Sequence, residues 1–377
     1  MKIVCVAGAR PNFVKIGPIV AEFRKAPDFF DITLVHTGQH YDQAMSGAFF
    51  DELGIPSPDV HLEVGSASHA LQTAEIMKRF EPVLLERRPD FVLVVGDVNS
   101  TIACALTAAK LGIGVIHVEA GLRSFDREMP EEVNRVLTDH ISDLLFVTEE
   151  SGRRNLIHEG IAEERIHFVG NVMIDSLHRQ MEAAAQSRVL ERFGLAPGQY
   201  GLITLHRPSN VDEPEVFRGI LEALRKISEE LPLLFPMHPR TRNNVKVWQM
   251  DGFFARNGGE VGVQATEPLG YVDFLQLMRH ARMVFTDSGG IQEETTVLGV
   301  PCMTLRLNTE RPCTVEMGTN RIVGVCPEDI VAAAGEVLAG KGRTGGLPPL
   351  WDGKAAERII EILKAEPQRH REHRKND

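Results

Sequence analysis

The chain has 377 residues, more than a single hydrophobic core usually serves, so we expect two domains of ordinary size. A formal net charge of -11 argues against a general nucleic-acid or membrane-surface binder, because such proteins carry a basic face that attracts phosphate. The five cysteines show no C-x-x-C spacing, lie mostly within apolar runs and are typical of buried thiols in a reducing cytosol. No early apolar segment predicts a signal peptide, and no apolar stretch is long enough to cross a bilayer, so we expect a cytoplasmic protein.

Short β-branched runs alternate with segments of helical period through the first half of the chain. The predicted strands there are "KIVCVAG", "ITLVHTG", "FVLVVGD", "GVIHVEAG", "LLFVT" and "IHFVG". After a predicted helix from Met173 to Phe193 and the break "GLAPGQYG", the alternation restarts with "LITLHR", "LLFPMHP", "VGVQA", "MVFTDSG", "VPCMTLR" and "RIVGVC". This rhythm is typical of βαβ units around a parallel sheet and predicts an α/β protein of two Rossmann-like domains with a cleft between them.

The predicted domains are 1–172 and 173–352. A final segment, 353–377, contains a predicted helix from Gly353 to Ala365 and a charged tail, and we expect it to return to the N-terminal domain. In such open sheets, ligands bind outside the carboxyl ends of the strands, so the residues directly after each run are the candidates for a site.

Two carboxylates follow apolar strands in the first half. Asp97 of "GDVNST" comes directly after its strand, and since Asn99 or Ser100 can cap the next helix, Asp97 is expected to be the freer carboxylate. Glu119 of "HVEAGLRS" emerges from a run so apolar that it needs a partner or a function, and Arg123 is a candidate structural partner.

A pair of acids, Glu131 and Glu132, follows Pro130 in "MPEEVNRVL". Favourable interaction with the helix dipole explains the pair on its own, so it is weak evidence for a site.

In the second half, "TDSGGIQEE" places Ser288, Gly289 and Gly290 at a strand-to-helix turn. Small residues there let an anion approach the free backbone N–H groups at the positive end of the helix, which suits a diphosphate. Of the next two acids, Glu293 and Glu294, we expect one to complement the helix dipole and the other to bind the hydroxyls of a ribose. An ordinary tight turn is the alternative interpretation.

Cations near the strand ends would form an anion site if they met in one place, since arginine matches phosphate oxygens. These are Arg10, Lys15, His206, Arg207, Arg240 and Arg311. Four histidines near strand ends stay open between packing and a site: His36, His40, His117 and His238. The signatures of P-loop proteins, common dehydrogenases, zinc proteases and serine hydrolases are missing from the sequence.

These residues, in this order, resemble the non-hydrolysing UDP-N-acetylglucosamine 2-epimerases, which have the two-domain fold of the B-type glycosyltransferases (GT-B). The resemblance covers roughly Lys2 to Pro327. It rests on "GARPNFVKIGP", "TGQHYD", "GDVNST", "HVEAGLRS", "PEEVNR", "LHRPSNVD", "HPRTR", "TDSGGIQEE" and "GVPCMTLRLNTERPCTVEMGTN".

The resemblance implies a role for each matching position. The family's catalytic residues match Asp97, Glu119, Glu131 and His206. Arg10 and Lys15 match substrate-binding positions near the diphosphate and the reacting sugar. Ser288, Gly289 and Gly290 match the diphosphate turn, and Glu294 matches the ribose acid. His206, Arg207 and Arg311 match further polar contacts.

The implied reaction is epimerisation at C2 of UDP-N-acetylglucosamine to UDP-N-acetylmannosamine, through elimination of UDP to 2-acetamidoglucal and its re-addition. The resemblance also implies a homodimer, a place in cell-surface polysaccharide biosynthesis, and no metal or other cofactor. The alternatives are an epimerase of a related UDP-2,3-diacetamido sugar, a GT-B glycosyltransferase, a hydrolysing enzyme and a nucleotide-sugar sensor.

Overall fold

A computed structural model describes residues 1–8, 10–38, 55–255 and 262–365, and only the backbone of residues 10 and 11. His40, the "TGQHYD" motif beyond its glycine and the charged tail lie outside the described residues. The chain divides into two compact units, one of Met1–His178 with Pro349–Asp377 and the other of Arg179–Pro348.

The first unit contains a parallel sheet of seven strands in the order β3-β2-β1-β4-β5-β6-β7. Its strands are β1 (Lys2–Ala7), β2 (Asp31–His36), β3 (Val60–His61), β4 (Phe91–Val95), β5 (Gly114–Ala120), β6 (Leu144–Val147) and β7 (Ile166–Phe168). All of the predicted strands of the first half are present, and the short β3 is an addition. Both faces of the sheet are covered by apolar clusters, which explains why β4 reads as the uninterrupted apolar run "FVLVV".

The second unit repeats this arrangement with six strands in the order β10-β9-β8-β11-β12-β13. They are β8 (Gly201–Thr204), β9 (Leu233–Pro236), β10 (Val263–Thr266), β11 (Met283–Thr286), β12 (Cys302–Thr304) and β13 (Asn320–Ile322). In both units the order reverses beside the first strand, as in the Rossmann fold. The predicted α/β class with two Rossmann-like halves is confirmed.

Helices connect the strands. In chain order they are α1 (Arg10–Arg24), α2 (His69–Arg87), α3 (Asn99–Lys110), α4 (Pro130–Ile141), α5 (Glu150–His158), α6 (Val172–Gln186), α7 (Val189–Phe193), α8 (Pro208–Val211), α9 (Pro214–Ile227), α10 (Pro239–Val247), α11 (Tyr271–His280), α12 (Gly289–Leu298), α13 (Pro312–Glu316), α14 (Pro327–Leu338) and α15 (Ala355–Ala365). None of the described helices is long and apolar enough to cross a membrane.

The predicted helix from Met173 to Phe193 is wrong in its continuity, because α6 and α7 are separate. Ser187 interrupts them: its hydroxyl accepts a hydrogen bond from the N–H of Val189 and donates one to Asp273 at 2.5 Å. A serine that binds nearby groups in this way competes with the helical backbone.

The C-terminal helix α15 completes the core of the first unit. Asp175 accepts hydrogen bonds from the N–H groups of Ala355 and Ala356, at 3.1 and 2.8 Å, which satisfies two free donors at the start of the helix. Ile359 and Leu363 then join the apolar cluster that also contains residues of α1 and β1. The helix begins two residues later than predicted.

The prediction for the cysteines needs one correction. Four of them are buried, whereas Cys326 is exposed, and none of the five forms a disulfide. Cys326 directly precedes α14, at a position that faces solvent, so its apolar sequence neighbours do not bury it.

Candidate active site

Two carboxylates lie at the carboxyl ends of adjacent strands in the first unit, because β4 pairs with β5 and Asp97 and Glu119 sit at the ends of these strands. The backbone of Glu119 has φ of 73°, and the pairing of β5 with β6 shifts register between Val118 and Ala120. A bulge of this kind turns a side chain away from its regular direction, and a left-handed backbone at a residue other than glycine is strained. Such strain is common at functional sites.

The carboxylate of Glu119 forms an ion pair with Lys15, with Nζ and Oε2 2.5 Å apart. Both side chains are almost entirely buried. Lys15 passes beside Gly96, where an added Cβ would lie in ordinary contact with the lysine nitrogen at 3.4 Å. The left-handed backbone of Gly96, with φ of 69°, favours glycine at this turn. The predicted partner Arg123 is wrong, because its guanidinium binds Asp139 instead at 2.7 Å.

Asp97 is not a free carboxylate. Its Oδ2 lies 2.5 Å from Nη2 of Arg135, and its side chain keeps about a quarter of its surface exposed. Arg135 is buried and bridges to Glu132 at 2.8 Å. The prediction that Asp97 is the freer carboxylate is therefore wrong, because Asp97 pairs with Arg135. Its side chain nevertheless remains accessible to solvent.

The helix-cap prediction for this turn is also wrong. The N-cap residue of α3 is Val98, and no side chain makes a capping hydrogen bond there. The amide of Asn99 donates to Gln72 at 2.7 Å, and the hydroxyl of Ser100 is 2.8 Å from that of Thr37. Long-range hydrogen bonds use both side chains, so neither is available for the local cap.

The two acids at the start of α4 have different surroundings. Glu132 accepts hydrogen bonds from the N–H and hydroxyl of Ser124, both at 2.9 Å, and from the N–H of Phe125 at 3.0 Å. Glu132 therefore holds the preceding loop. Glu131 is half-buried, and among the described residues no hydrogen bond or ion pair reaches its carboxylate. Of the pair, Glu131 is the acid available to a ligand.

In the second unit, helix α12 begins at Gly289 after the N-cap residue Ser288, whose side chain makes no capping hydrogen bond. The first turn of α12 contains no acid. An added Cβ at Gly289 would lie 2.8 Å from Oε1 of Glu310, so a larger residue would displace this buried carboxylate. The predicted bare helix start is present, but the space at Gly289 is limited by the carboxylate of Glu310, which the sequence did not indicate.

The buried carboxylate of Asp287 orients the residues beside this turn. It accepts hydrogen bonds from the N–H groups of His206 and Arg207 and lies 3.1 Å from Nδ1 of the His206 ring. Burial alone would raise the pKa of Asp287, but the hydrogen bond and charge of His206 and the backbone donors hold it below its usual range. His206 therefore presents its other ring nitrogen from a half-exposed side chain.

The acids that follow the turn do not serve the helix dipole. Glu293 is fully buried and pairs with Arg311, with Nε and Oε1 2.5 Å apart. The dipole interpretation of Glu293 is therefore wrong, since both acids lie beyond the first turn. Arg311 lies against Gly289, with its Cζ 3.8 Å from an added Cβ, so it supports the turn from the protein side.

Glu294 is the second acid, and it is almost completely buried. It accepts a hydrogen bond from the hydroxyl of Tyr271 at 2.6 Å. Burial raises its pKa to about 7, with the tyrosine hydrogen bond opposing the shift and the charge of Glu293 adding to it. A carboxylate with so high a pKa and one hydroxyl donor already in place is suited to bind further hydroxyl groups.

Within each unit, some of the predicted site residues are in contact with one another and others are not. In the first unit, Lys15 contacts Glu119, and Asp97 follows Gly96, which lies against Lys15. In the second unit, His206 and Arg207 meet the turn through Asp287, and Arg311 lies beneath it. Arg10 is the first residue of α1, and its side chain lies outside the described residues. Arg240 does not join these groups, because its guanidinium pairs with Asp212 and it sits at the start of α10.

Three contributors were missed in the sequence: Arg135, Asp287 and Tyr271. Arg135 lies three residues after Glu132 in a helix that begins at Pro130, and this spacing could have predicted their contact. Asp287 stands at a strand end, which was a signal for the site but not for its partner. The contact of Tyr271 joins two distant helices, and no sequence pattern indicates it.

Comparison with known proteins decides the family. The family profile described as UDP-N-acetylglucosamine 2-epimerase matches residues 21–364. The chain belongs to this family. The resemblance of the sequence motifs to these epimerases is thereby confirmed.

Individual relatives agree with this assignment. The UDP-N-acetylglucosamine 2-epimerase of Methanocaldococcus jannaschii is 42% identical over 368 residues, which is 96% of this chain and 99% of that protein. A protein of Pseudomonas aeruginosa named UDP-2,3-diacetamido-2,3-dideoxy-D-glucuronate 2-epimerase is 40% identical over 372 residues, covering 96% of this chain and 99% of the other.

Solved structures confirm the fold class. The crystal structure of the M. jannaschii UDP-GlcNAc 2-epimerase in complex with UDP-GlcNAc and UDP matches with a TM-score of 0.88, covering 97% of this chain and 100% of that one. The glycotransferase of kitacinnamycin, 14% identical, matches with a TM-score of 0.56, which shows a shared fold alone. The predicted GT-B class is thus confirmed.

The buried pair of Glu293 and Arg311 predicts a strong effect on stability. Glu293→Gln removes the charge nearest to the guanidinium and leaves Glu310, at 3.9 Å, as a more distant partner. We expect the free energy of unfolding to fall by about 3–5 kcal/mol. Urea unfolding followed by tryptophan fluorescence and circular dichroism would measure the loss. The control is Glu191→Gln, which removes an exposed pair with Arg188 and should leave the transition almost unchanged. Equal transitions in the two variants would show that the buried pair contributes little.

Proposed function

We propose that the protein interconverts UDP-N-acetylglucosamine and UDP-N-acetylmannosamine by inverting C2 of the sugar. The observation that carries the proposal is the family membership, together with carboxylates at the ends of adjacent strands β4 and β5. The 42% identity with the M. jannaschii epimerase over nearly the whole of both chains supports UDP-N-acetylglucosamine as the substrate. The protein is accordingly an isomerase.

The chemical difficulty of this reaction is the C2 proton, which has no ketone beside it and is not acidic. Cleaving the bond between C1 and the diphosphate oxygen first builds positive charge on the ring, which acidifies the C2 proton. Loss of that proton gives 2-acetamidoglucal and UDP. Return of UDP to C1, with a proton delivered to the opposite face of C2, gives the other epimer. Proton transfer on two faces requires more than one acid or base.

The first unit supplies these groups. Asp97, Glu119 and Glu131 are the carboxylates for proton transfer and for stabilising the positive ring. Lys15 neutralises Glu119 at 2.5 Å and Arg135 does so for Asp97 at the same distance, which holds two acids near each other without strong mutual repulsion. Glu131 is the third, and no hydrogen bond or ion pair from the part of the chain that the structure describes reaches its carboxylate.

The second unit supplies the groups that hold UDP. The bare start of α12, at Ser288, Gly289 and Gly290, presents backbone N–H groups to a diphosphate. His206, oriented by Asp287, stabilises the charge that develops on departing UDP, and Arg207 adds a cation. A leaving group held as an anion in this way remains available for re-addition. Arg10 and Arg311 join this set through the family resemblance, Arg311 by supporting the turn.

Glu294 binds the ribose in this proposal. Its buried carboxylate already accepts one hydroxyl, from Tyr271, at 2.6 Å. Vicinal hydroxyls of a ribose would add two donors to the same group, as acidic residues do in dinucleotide sites.

We further propose a homodimer in the cytosol. The exposed apolar side chains of α2 and α4 support the dimer: Leu71, Leu85, Val133 and Leu137 are 67%, 57%, 43% and 50% exposed. Helix α3 packs between α2 and α4, so these residues lie on one face of the first unit. Free thiols at all five cysteines support a reducing compartment.

Proton NMR of the purified protein with UDP-N-acetylglucosamine tests the function. We expect the signals of UDP-N-acetylmannosamine to grow until the two epimers reach equilibrium. Release of free N-acetylmannosamine and UDP would replace the proposal with a hydrolysing reaction. Turnover of a UDP-2,3-diacetamido uronic acid alone would move the substrate to that of the P. aeruginosa relative. Failure to convert either sugar nucleotide would contradict the epimerase function.

The raised pKa of Glu294 predicts how UDP binding depends on pH. Below about pH 7 the carboxyl is protonated and offers fewer acceptors, whereas above it the carboxylate can accept both ribose hydroxyls. We therefore expect UDP affinity, measured by calorimetry, to rise severalfold between about pH 6 and pH 8. Glu294→Gln should bind more weakly and lose this part of the pH dependence. As a control, the affinity of the unchanged protein for 2′,3′-dideoxy-UDP should lack the part of the pH dependence that comes from Glu294. An identical pH dependence in Glu294→Gln would exclude the assigned role.

The proposed dimer face predicts the effect of added charge. Val133→Glu with Leu137→Glu places two like charges in an apolar interface, so we expect light scattering after gel filtration to report a monomer. Val247→Glu is the control, because Val247 is 65% exposed on α10 in the second unit. A dimer that survives the double substitution would exclude this face.

A further inference from the structure

A buried histidine on β5, His117, connects the two turns that carry the strand-end acids. It lies two residues before Glu119 and has no exposed surface. Its Nδ1 lies 2.6 Å from Oδ1 of Asp139, and its Nε2 lies 2.9 Å from the backbone oxygen of Gly96. Gly96 is the residue directly before Asp97. The imidazole ring of His117 therefore contacts the backbone of the turn that carries Asp97, and His117 belongs to the strand that carries Glu119.

Asp139 links His117 to the turn that follows Glu119. Its Oδ2 accepts a hydrogen bond from the N–H of Gly121 at 3.1 Å and from Arg123 at 2.7 Å. Gly121 follows Glu119 by two residues and has a left-handed backbone with φ of 79°. An added Cβ there would lie 2.3 Å from the oxygen of Gly152, so the turn admits only glycine. Asp139 thus holds the strained turn from within the protein.

The partners of His117 determine its protons. A backbone carbonyl oxygen can only accept a hydrogen bond, so Nε2 must carry a proton. Asp139 is ionised, because its Oδ2 binds the guanidinium of Arg123 at 2.7 Å and the N–H of Gly121 at 3.1 Å. Burial alone would raise the pKa of Asp139, but it lies below its usual range. An ionised carboxylate also only accepts, so Nδ1 must carry a proton as well. Both ring nitrogens are donors, and the ring is an imidazolium.

The charges around this ring balance. Asp139 lies between His117 and Arg123, and Arg123 in turn makes two hydrogen bonds to Glu159, at 2.7 and 2.6 Å. Two cations therefore alternate with two carboxylates, and of these four side chains only Glu159 is partly exposed, at 23%. A buried ion is stable only when such partners satisfy it, which explains how a cation persists here without solvent.

We propose that His117, as an imidazolium held by Asp139, is a positioning residue that fixes Asp97 and Glu119 relative to each other. Its two hydrogen bonds hold the turn after β4 and, through Asp139, the turn after β5. The ring itself does not reach substrate, because it is fully buried and both nitrogens are engaged. The proposal rests on the proposed function in one respect, which is that Asp97 and Glu119 act on the sugar.

The ring protons can be counted without any activity. In the unchanged protein with ¹⁵N-labelled histidine, both ring nitrogens of His117 should show a directly bonded proton at neutral pH. The signal is assigned by its loss in His117→Gln. A His117 ring with one unprotonated nitrogen would overturn the proposal even if the enzyme epimerises its substrate. Two protons in a protein that converts no UDP-sugar would leave the ion pair standing and reject the proposed function.

Kinetics test the positioning role. Asp139→Asn keeps the shape of the side chain but removes its charge, so the ring loses its reason to carry two protons. We expect kcat to fall by about 10- to 100-fold, the size that a small misplacement of reacting groups produces, with KM and UDP affinity within about threefold. His117→Gln should lower kcat similarly. The double variant should be no worse than the poorer single one, because the two residues act as a unit.

The matched control is Asp143→Asn. Asp143 accepts a hydrogen bond from the N–H of Val115 at 2.7 Å and so holds the opposite end of the same strand. It should keep its kcat within about twofold. A fully active Asp139→Asn, or an equal loss in Asp143→Asn, would overturn the positioning role. If Asp139→Asn fails to fold, the kinetics of His117→Gln and the proton count in the unchanged protein decide the question.

Discussion

The candidate site depends on the pairing of ionised side chains that are removed from water. A buried charge is stable only with an opposite charge and hydrogen bonds close by, and removing one partner from such a pair is strongly destabilising. In the first unit Lys15 meets Glu119 and Arg135 meets Asp97. In the second unit Arg311 meets Glu293. These pairs allow Asp97 and Glu119 to lie at the ends of apolar strands and Glu293 to lie at a buried position within a helix, where unpaired carboxylates would destabilise the fold.

The parallel sheets explain why these pairs lie where they do. All carboxyl ends of a parallel sheet meet at one edge, and the strand order reverses beside the first strand of each sheet. In the first unit that edge presents acids. In the second it presents the free start of α12, with a histidine and an arginine oriented by Asp287. The same fold therefore places acids at this edge of the sheet in one unit and a free helix start in the other.

The sequence predicted the strands and the polar residues at their ends well, because both follow from local patterns. Apolar runs such as "FVLVV" are bounded by small and polar residues, and Asp97, Glu119 and Ser288 stand at those boundaries. The partners were predicted poorly. Arg123 is the nearest arginine or lysine to Glu119 in sequence, whereas the ion-pair partner in space is Lys15, about a hundred residues away along the chain. Likewise, Asn99 forms long-range hydrogen bonds instead of a local cap. A single sequence contains no signal for such contacts.

The central claim is that these acids exchange the C2 proton of a UDP-sugar with solvent during inversion. The most direct test is to incubate the protein with UDP-N-acetylglucosamine in heavy water and to measure deuterium at C2 by NMR and mass spectrometry. We expect one deuterium at C2 of the UDP-N-acetylmannosamine formed, followed by its appearance in the recovered substrate. Inversion with the original proton retained at C2 would contradict proton transfer through solvent-exchanging carboxylates, and with it the roles of Asp97, Glu119 and Glu131.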